Sequence, residues 1–170
     1  MKMKNPLKDK RGTVTIYVLL TMIVLVPTLL FASMELPSTL IQHRKLKNTI
    51  DNAASSAASR IIENQLHFGI IEIDANLAEH TAKRIIAQDY KLDPVTLEPL
   101  EDSIVSEAPT IQIQVINSPP KEGIKLTFPT QELLVENTSV VIYIEMKING
   151  IFFKFYNPII KHLGSTQAMF

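Results

Sequence analysis

The stretch that decides the fold is Thr13–Met34, TVTIYVLLTMIVLVPTLLFASM, which contains no charged residue. An α-helix rises about 1.5 Å per residue, so this run reaches roughly 33 Å, enough to cross the hydrocarbon core of a bilayer. The apolar part of a secretory signal peptide is shorter, about 7–15 residues, and small residues mark its cleavage site. Because this run is longer and Phe31-Ala32-Ser33 is a poor cleavage signal, we predict a retained transmembrane helix over residues 13–34.

The charges that flank this run predict its orientation. The whole chain has 17 basic and 17 acidic residues, but the first 12 residues are basic, with Lys2, Lys4, Lys8, Lys10 and Arg11 against Asp9. Basic flanks stay on the cytoplasmic side of a membrane helix. We therefore expect a cytoplasmic tail over residues 1–12 and a single-pass cell-membrane protein whose C-terminal domain is extracytoplasmic.

A second helix is predicted beyond the span, inside a stem of residues 35–69. Glu35 is the first charge after the span, Pro37 favours a break, Ser38 suits an N-cap, and Gly69 suits a helix stop. Small side chains four residues apart form a candidate helix-packing face, which consists of Ala53, Ala54, Ala57 and Ala58. Such a face allows close approach of another element. Packing against the protein's own core and packing against a neighbouring subunit both remain open.

The order of these segments resembles the TadE/TadG-like proteins of the tight-adherence (Flp-type) pilus system. The matching parts are the basic tail, the Arg11-Gly12 junction, the apolar helix and the alanine-rich segment LKNTIDNAASSAASR at residues 46–60. This segment is similar to the family pattern LQxAADAAALAAA. The match covers about the first 65 residues. It implies a minor pilin or pseudopilin-like component of a Tad/Flp-type pilus or related secretion apparatus. The implied partners are the lipid bilayer, other proteins of the apparatus, and homo- or hetero-oligomers formed through helices.

The resemblance also identifies Gly12 as a candidate cleavage point for a prepilin peptidase. Processed members carry a glutamate five residues after the glycine, whereas this chain has Tyr17 there. Cleavage and retention of the tail both stay open, and the missing glutamate favours retention. It also argues against the chain being the repeating subunit of a filament.

The remaining residues, 70–170, predict an extracytoplasmic α+β domain. A helix is expected over Ala75–Tyr90 after an Asp74 cap, followed by an acidic, proline-containing loop over residues 91–109. Alternation and turn signals then predict four strands: Thr110–Ile116, Ile124–Phe128, Thr138–Asn149 and Ile151–Tyr156, the last two joined at Asn149-Gly150. The predicted fold class is α+β, with a transmembrane helix, an Ala/Ser-rich stem helix and a small antiparallel sheet of about four strands on a pilin-like plan.

No motif in the sequence indicates catalysis, a cofactor or a metal. There is no cysteine, the four histidines are not spaced four apart, and the five glycines form no phosphate-binding loop. The acidic loop lacks the ordered spacing of a calcium site. We therefore expect a protein that is not an enzyme and that holds neither a cofactor nor a metal ion.

The basic run His43-Arg44-Lys45-Lys47 is compatible with a solvated helix face, with lipid headgroups or with DNA. No aromatic residues interleave with it to stack on bases, so no nucleic-acid partner is expected, and the solvated face is favoured. The alternative to a pilus component is a membrane-tethered extracytoplasmic binding or sensory domain that does not enter a filament.

Overall fold

The computed structural model describes residues 10–129, 132–150 and 156–168. It is an α+β protein with one long apolar N-terminal helix and a small antiparallel sheet. The helices are α1 (Lys10–Ala58), α2 (Glu63–Leu66) and α3 (Ala75–Tyr90). The strands are β1 (Thr110–Ile116), β2 (Ile124–Thr127), β3 (Glu132–Val135), β4 (Ser139–Lys147) and β5 (Ile159–Gln167).

Helix α1 is continuous over 49 residues and includes both Pro27 and Pro37. The predicted break at Pro37, with a new helix capped by Ser38, is therefore wrong. A proline removes one backbone hydrogen bond from a helix, but packing on either side of it can hold the helix together. One face of α1 packs on the domain on both sides of Pro37, with Glu35 buried before it and Leu46 and Thr49 after it, and this contact compensates for the lost bond.

The end of α1 also differs from the prediction, because the helix ends at Ala58 and not near Gly69. Ile61 forms an antiparallel bridge with Ile73, and the Ile62 N–H donates to the Glu72 carbonyl at 2.9 Å. Ile61 and Ile62 therefore do not continue the helix but pair with the extended segment of residues 72–73. Gly69 has a φ of +73° and follows the single turn of α2, where a left-handed residue is needed.

Helix α3 confirms its prediction at both ends. The Asp74 carboxylate accepts a hydrogen bond from the Leu77 N–H at 3.0 Å, and Lys91 adopts a left-handed conformation after the last turn. The helix lies against α1, where the Thr49 hydroxyl donates to the Asp89 carboxylate at 2.7 Å. The C-terminal end of α3 is therefore at the level of residues 45–49 of α1.

The strands form a three-stranded antiparallel sheet in the order β1-β4-β5 and a separate two-stranded ribbon, β2-β3. Strands β1, β2 and β4 lie where strands were predicted, but the single four-stranded sheet is not found in the described residues. The predicted strand Ile151–Tyr156 lies outside them except for Tyr156, which is not in a strand. Strands β3 and β5 were not predicted.

The two faces of the sheet carry two apolar clusters. On the helix side, alternate residues of β4 and Ile148 directly after it are buried in a cluster with α1 and α3. They are the residues of the predicted face, Val140, Ile142, Ile144, Met146 and Ile148. On the other side the ribbon covers Val141 and Tyr143, with Phe128 stacked on Tyr143 at a centroid distance of 5.8 Å. The sheet is thus a middle layer between helices and ribbon.

Helix α1 approaches β5 most closely at Gly164. A Cβ atom at this glycine would lie 2.6 Å from Ile50 Cγ2 and 3.2 Å from Asp51 Oδ1. The glycine is required here by space rather than by backbone conformation. This contact places the second half of α1 directly on the sheet.

Candidate functional site

The first half of α1 is an exposed apolar rod. Every residue from Val14 to Leu30 is exposed, and the best 18-residue window has a mean hydropathy of 2.5. Two of its threonine hydroxyls are satisfied inside the helix, since Thr21 donates to the Tyr17 carbonyl and Thr28 to the Val24 carbonyl, each at 2.8 Å. By length and composition this helix can cross a membrane.

The four alanines of the predicted packing face lie inside the domain. Ala53, Ala54, Ala57 and Ala58 are buried in the cluster that α1, α3 and the sheet share. Residues of α3 in the same cluster are also small, among them Ala78 and Ala82. Because the protein's own core occupies the face, a neighbouring subunit cannot pack on these side chains while the domain is folded.

The candidate cleavage residue Gly12 lies in the first turns of α1 and is exposed. A Cβ atom there would meet nothing within 4 Å among the described residues. The fold of the described part therefore does not require glycine at this position. Its use by a peptidase remains a prediction.

Glu35 does not lie at an exposed boundary, although it is the first charged residue after the apolar run. Its side chain is 1 % exposed, and the Thr39 hydroxyl donates to its backbone carbonyl at 3.0 Å. One turn earlier, the Phe31 ring meets the Tyr156 ring edge-on at a centroid distance of 5.2 Å. The domain therefore meets α1 from Phe31 onward.

A polar cluster joins the end of α3 to α1 and was not predicted from the sequence. Lys45 Nζ lies 4.8 Å from the centroid of the Tyr90 ring and donates to the Asp89 carbonyl at 3.0 Å. The Tyr90 hydroxyl is buried and has no hydrogen-bond partner among the described residues. Burial, and secondarily the charge of Asp89, raises the pKa of Tyr90.

We expect the Tyr90→Phe variant to be as stable as the wild type or more stable, by up to about 1 kcal/mol. A buried hydroxyl without a partner costs desolvation free energy, and phenylalanine removes it while keeping the ring under Lys45. The measurement is the urea midpoint of the full chain in detergent. A loss above about 1 kcal/mol would show that the hydroxyl makes a favourable bond.

His162 lies on β5 and faces α1. Its Nε2 atom is 3.8 Å from Asp51 Oδ1. Burial lowers the pKa of His162; the nearby Asp51 charge opposes this shift, whereas Lys47 and His43 reinforce it. Asp51, the aspartate inside the alanine-rich segment, thus faces a titratable group across the interface between α1 and β5.

We expect the stability of the domain to fall as the pH is lowered through about 6.5, the ordinary pKa of histidine. Since folding lowers the pKa of His162, the unfolded chain takes up the proton first, and acid favours unfolding until the folded-state pKa is passed. Urea midpoints measured between about pH 5 and 7.5 give the slope of stability against pH. This pH window lies above the range in which carboxylates titrate.

The His162→Gln variant should lose this part of the pH dependence. In Asp51→Asn the loss of stability should continue to lower pH. The variant removes the charge that raises the pKa of His162, so the folded-state pKa becomes lower still. An unchanged slope in His162→Gln would contradict the assignment to this residue.

No group of three histidine, aspartate or glutamate residues in the described part of the chain is placed to hold a metal ion. His43, His67 and His80 are exposed on three different segments. In the acidic loop the Asp93 carboxylate accepts the N–H groups of Val95 and Thr96, each at 2.8 Å, and these bonds lower its pKa. Internal hydrogen bonds thus order this part of the loop.

An open cleft of about 580 Å³ lies between the end of α3 and this loop. An ion pair between Lys91 and Asp102, at 3.3 Å, lies among its walls. The other lining residues are Ala87, Gln88, Leu92, Leu100 and Glu101.

Comparison of the chain with protein-family models, curated proteins and solved structures finds no match.

Proposed function

We propose that this chain is a membrane-anchored structural or assembly component, of minor-pilin or pseudopilin-like type, in a Tad/Flp-type pilus or related secretion apparatus. The observation that carries the proposal is the division of α1 into two halves. The first half is apolar and exposed from Val14 to Leu30, and the second half is part of the domain core. One helix thereby joins an apolar rod to a folded domain, which is the plan that the resemblance to TadE/TadG-like proteins implies.

The basic tail supports a cytoplasmic N-terminus and an extracytoplasmic domain in a single-pass cell-membrane protein. With Tyr17 in place of the glutamate of processed members, the tail stays attached and α1 remains a permanent anchor. Contacts with other subunits are then made by the exposed first half of α1, since the alanine face is occupied inside the domain.

Single-cysteine cross-linking tests this proposal, because the chain has no cysteine of its own. Val18→Cys and Leu25→Cys place thiols on the exposed apolar half of α1. Under mild oxidation in the native membrane, we expect disulfide adducts with matching single-cysteine variants of pilus subunits or of this chain. Ala54→Cys is the matched control, since its thiol is buried in the domain and should form no adduct.

Two results together would overturn the proposal. One is an absence of adducts at both exposed positions, and the other is an unchanged number of surface filaments and unchanged secretion after deletion of the gene. The intact mass of the membrane-extracted protein tests the tail separately. We expect the full 19.1 kDa chain, whereas cleavage after Gly12 would remove the first 12 residues.

The cleft between α3 and the acidic loop favours a second candidate, a membrane-tethered binding or sensory domain. Its volume of about 580 Å³ is in the range of small-molecule sites. A thermal-shift screen of the detergent-solubilised chain against small cationic and zwitterionic compounds tests it. A saturable shift that Asp102→Asn abolishes would support this candidate over a purely structural role.

A further inference from the structure

Resting on the proposed membrane anchorage, we infer that α1 leaves the bilayer obliquely, with the face that points away from the domain turned toward the lipid. Arg44 on this face, together with His43 and Lys47 on the neighbouring side of α1 next to β5, binds the phosphate groups of anionic phospholipids. The domain then lies on the side of α1 that faces away from the membrane surface.

The first observation is that the apolar surface of α1 does not end with the uncharged run. Leu36, Leu40 and Ile41 are 47 %, 63 % and 62 % exposed. The one charged residue between Val14 and Ile41, Glu35, is buried on the domain side. The side of α1 that faces away from the domain is therefore free of charge from Val14 to Ile41.

The length of this surface indicates a tilt. A helix from residue 14 to residue 41 reaches about 42 Å, which exceeds a hydrocarbon core of about 30 Å. A perpendicular helix would leave Leu40 and Ile41 in water. Spanning helices tilt by up to about 40° from the bilayer normal. At a tilt of about 30–40°, a helix about 10 Å wide leaves the lipid on one side about four to six residues later than on the opposite side, and the later side is the one that leans toward the membrane. Leu40 and Ile41 then remain in lipid while the domain side has already emerged.

The charges on α1 agree with this direction of tilt. Arg44 follows Ile41 by three residues on the side away from the domain. His43 and Lys47 continue the helical row of Leu36 and Leu40 at spacings of three and four, on the side of α1 next to β5, where their charges act on His162. All three basic residues are exposed just beyond the apolar surface. Lys45 is different, because it points toward α3 and donates to the Asp89 carbonyl.

The domain side carries the opposite charge. The loop of residues 91–109 follows α3 and contains one basic residue, Lys91, against five acidic ones, Asp93, Glu98, Glu101, Asp102 and Glu107. An anionic bilayer attracts the basic face of α1 and repels this loop. The same charges argue against a second copy of the chain on this face, since a symmetric contact would bring Arg44 and Lys47 of both copies together.

The test uses the full chain in vesicles and single cysteines that carry nitroxide labels. The positions are Val24 in the middle of the apolar rod, Leu40 on the proposed lipid face, and Val95 in the loop on the domain side. Collision rates with oxygen, which concentrates in lipid, and with a water-soluble nickel complex report depth. We expect Val24→Cys and Leu40→Cys to be lipid-like and Val95→Cys to be water-like.

The headgroup contact is tested by vesicle composition. In vesicles that contain phosphatidylglycerol, Arg44→Gln/Lys47→Gln should raise the nickel collision rate at the Leu40 label by about twofold or more. In pure phosphatidylcholine the same change should have little effect. The matched control is Lys83→Gln/Arg84→Gln on α3, which removes the same charge and should leave the label unchanged.

The outcomes separate this inference from the proposed function. If the Val24 label is lipid-like but the Leu40 label collides with the nickel complex as often as the Val95 label does, the oblique exit is overturned and the membrane anchor stands. A water-exposed Val24 label overturns the anchorage itself. Spin–spin broadening at Leu40 between copies would assign the face to a neighbouring chain, and equal effects in both vesicle types would overturn phosphate binding.

Discussion

The Ala54→Leu/Ala58→Leu double variant is expected to lose most of the stability of its domain. Both alanines are buried in the cluster that α1, α3 and the sheet share. Ala58 also lines an open cavity of about 170 Å³, so the larger part of the loss is expected from Ala54. Each leucine adds three carbon atoms to this space. Overpacking of a core costs about 1–3 kcal/mol per site and sometimes more. Two sites together remove a large part of the roughly 5–15 kcal/mol by which a folded domain is stable.

Urea unfolding of the full chain in detergent measures this loss. The chain has four tyrosines and no tryptophan, and Tyr90 and Tyr143 are buried, so near-ultraviolet circular dichroism of tyrosine reports on the domain. Ala32→Leu is the matched control, because Ala32 is an exposed alanine of the same helix. We expect the control to unfold at the wild-type urea concentration.

The same variant distinguishes two roles of the alanine face. If the domain keeps its urea midpoint and only the cross-links to other subunits disappear, the face serves assembly and the packing seen in the structure is not its main role. If the domain unfolds, the face belongs to the protein's own core. A fragment of residues 70–170 should then fail to fold, because it lacks the helix face that covers the sheet.

The sequence identified the members of this face but not their partner. Spacings of three and four place Ala53, Ala54 and Ala57 on one side of a helix, and the small size of alanine predicts close approach. Neither property says whether the approaching element belongs to the same chain. That answer depends on α3 and β5, which lie far away in the sequence and come together only in the fold.

Local signals predicted the elements whose patterns are long and regular. The uncharged run, the capped helix α3 and the alternating residues of β4 agree with the structure. Pro37 misled the prediction, because its local cost is outweighed by packing of the helix further along. Strand β5 was missed because His162, Gly164 and Ser165 interrupt its apolar pattern, and Gly164 is explained only by the helix that crosses it.

That crossing makes Gly164→Ala the second substitution with a large expected effect. The added methyl group would lie 2.6 Å from Ile50 Cγ2, and Ile50 is fully buried on α1, where its branched side chain has little freedom to move. We expect a loss of about 1–3 kcal/mol as α1 is pushed away from β5. Gly12→Ala is the matched control, since no described atom lies near that glycine.

A double-mutant cycle with Ile50→Ala tests the cause. Ile50→Ala alone removes buried methyl groups and should cost about 2–5 kcal/mol. In the double variant the methyl group of the alanine at position 164 enters the space that the Ile50 side chain has left. The double variant should therefore lose about 0.5–3 kcal/mol less stability than the sum of the losses in the two single variants. If the losses simply add, the glycine is needed for another reason. If the cycle shows the expected coupling, the contact between Ile50 and Gly164 holds the second half of α1 on the sheet.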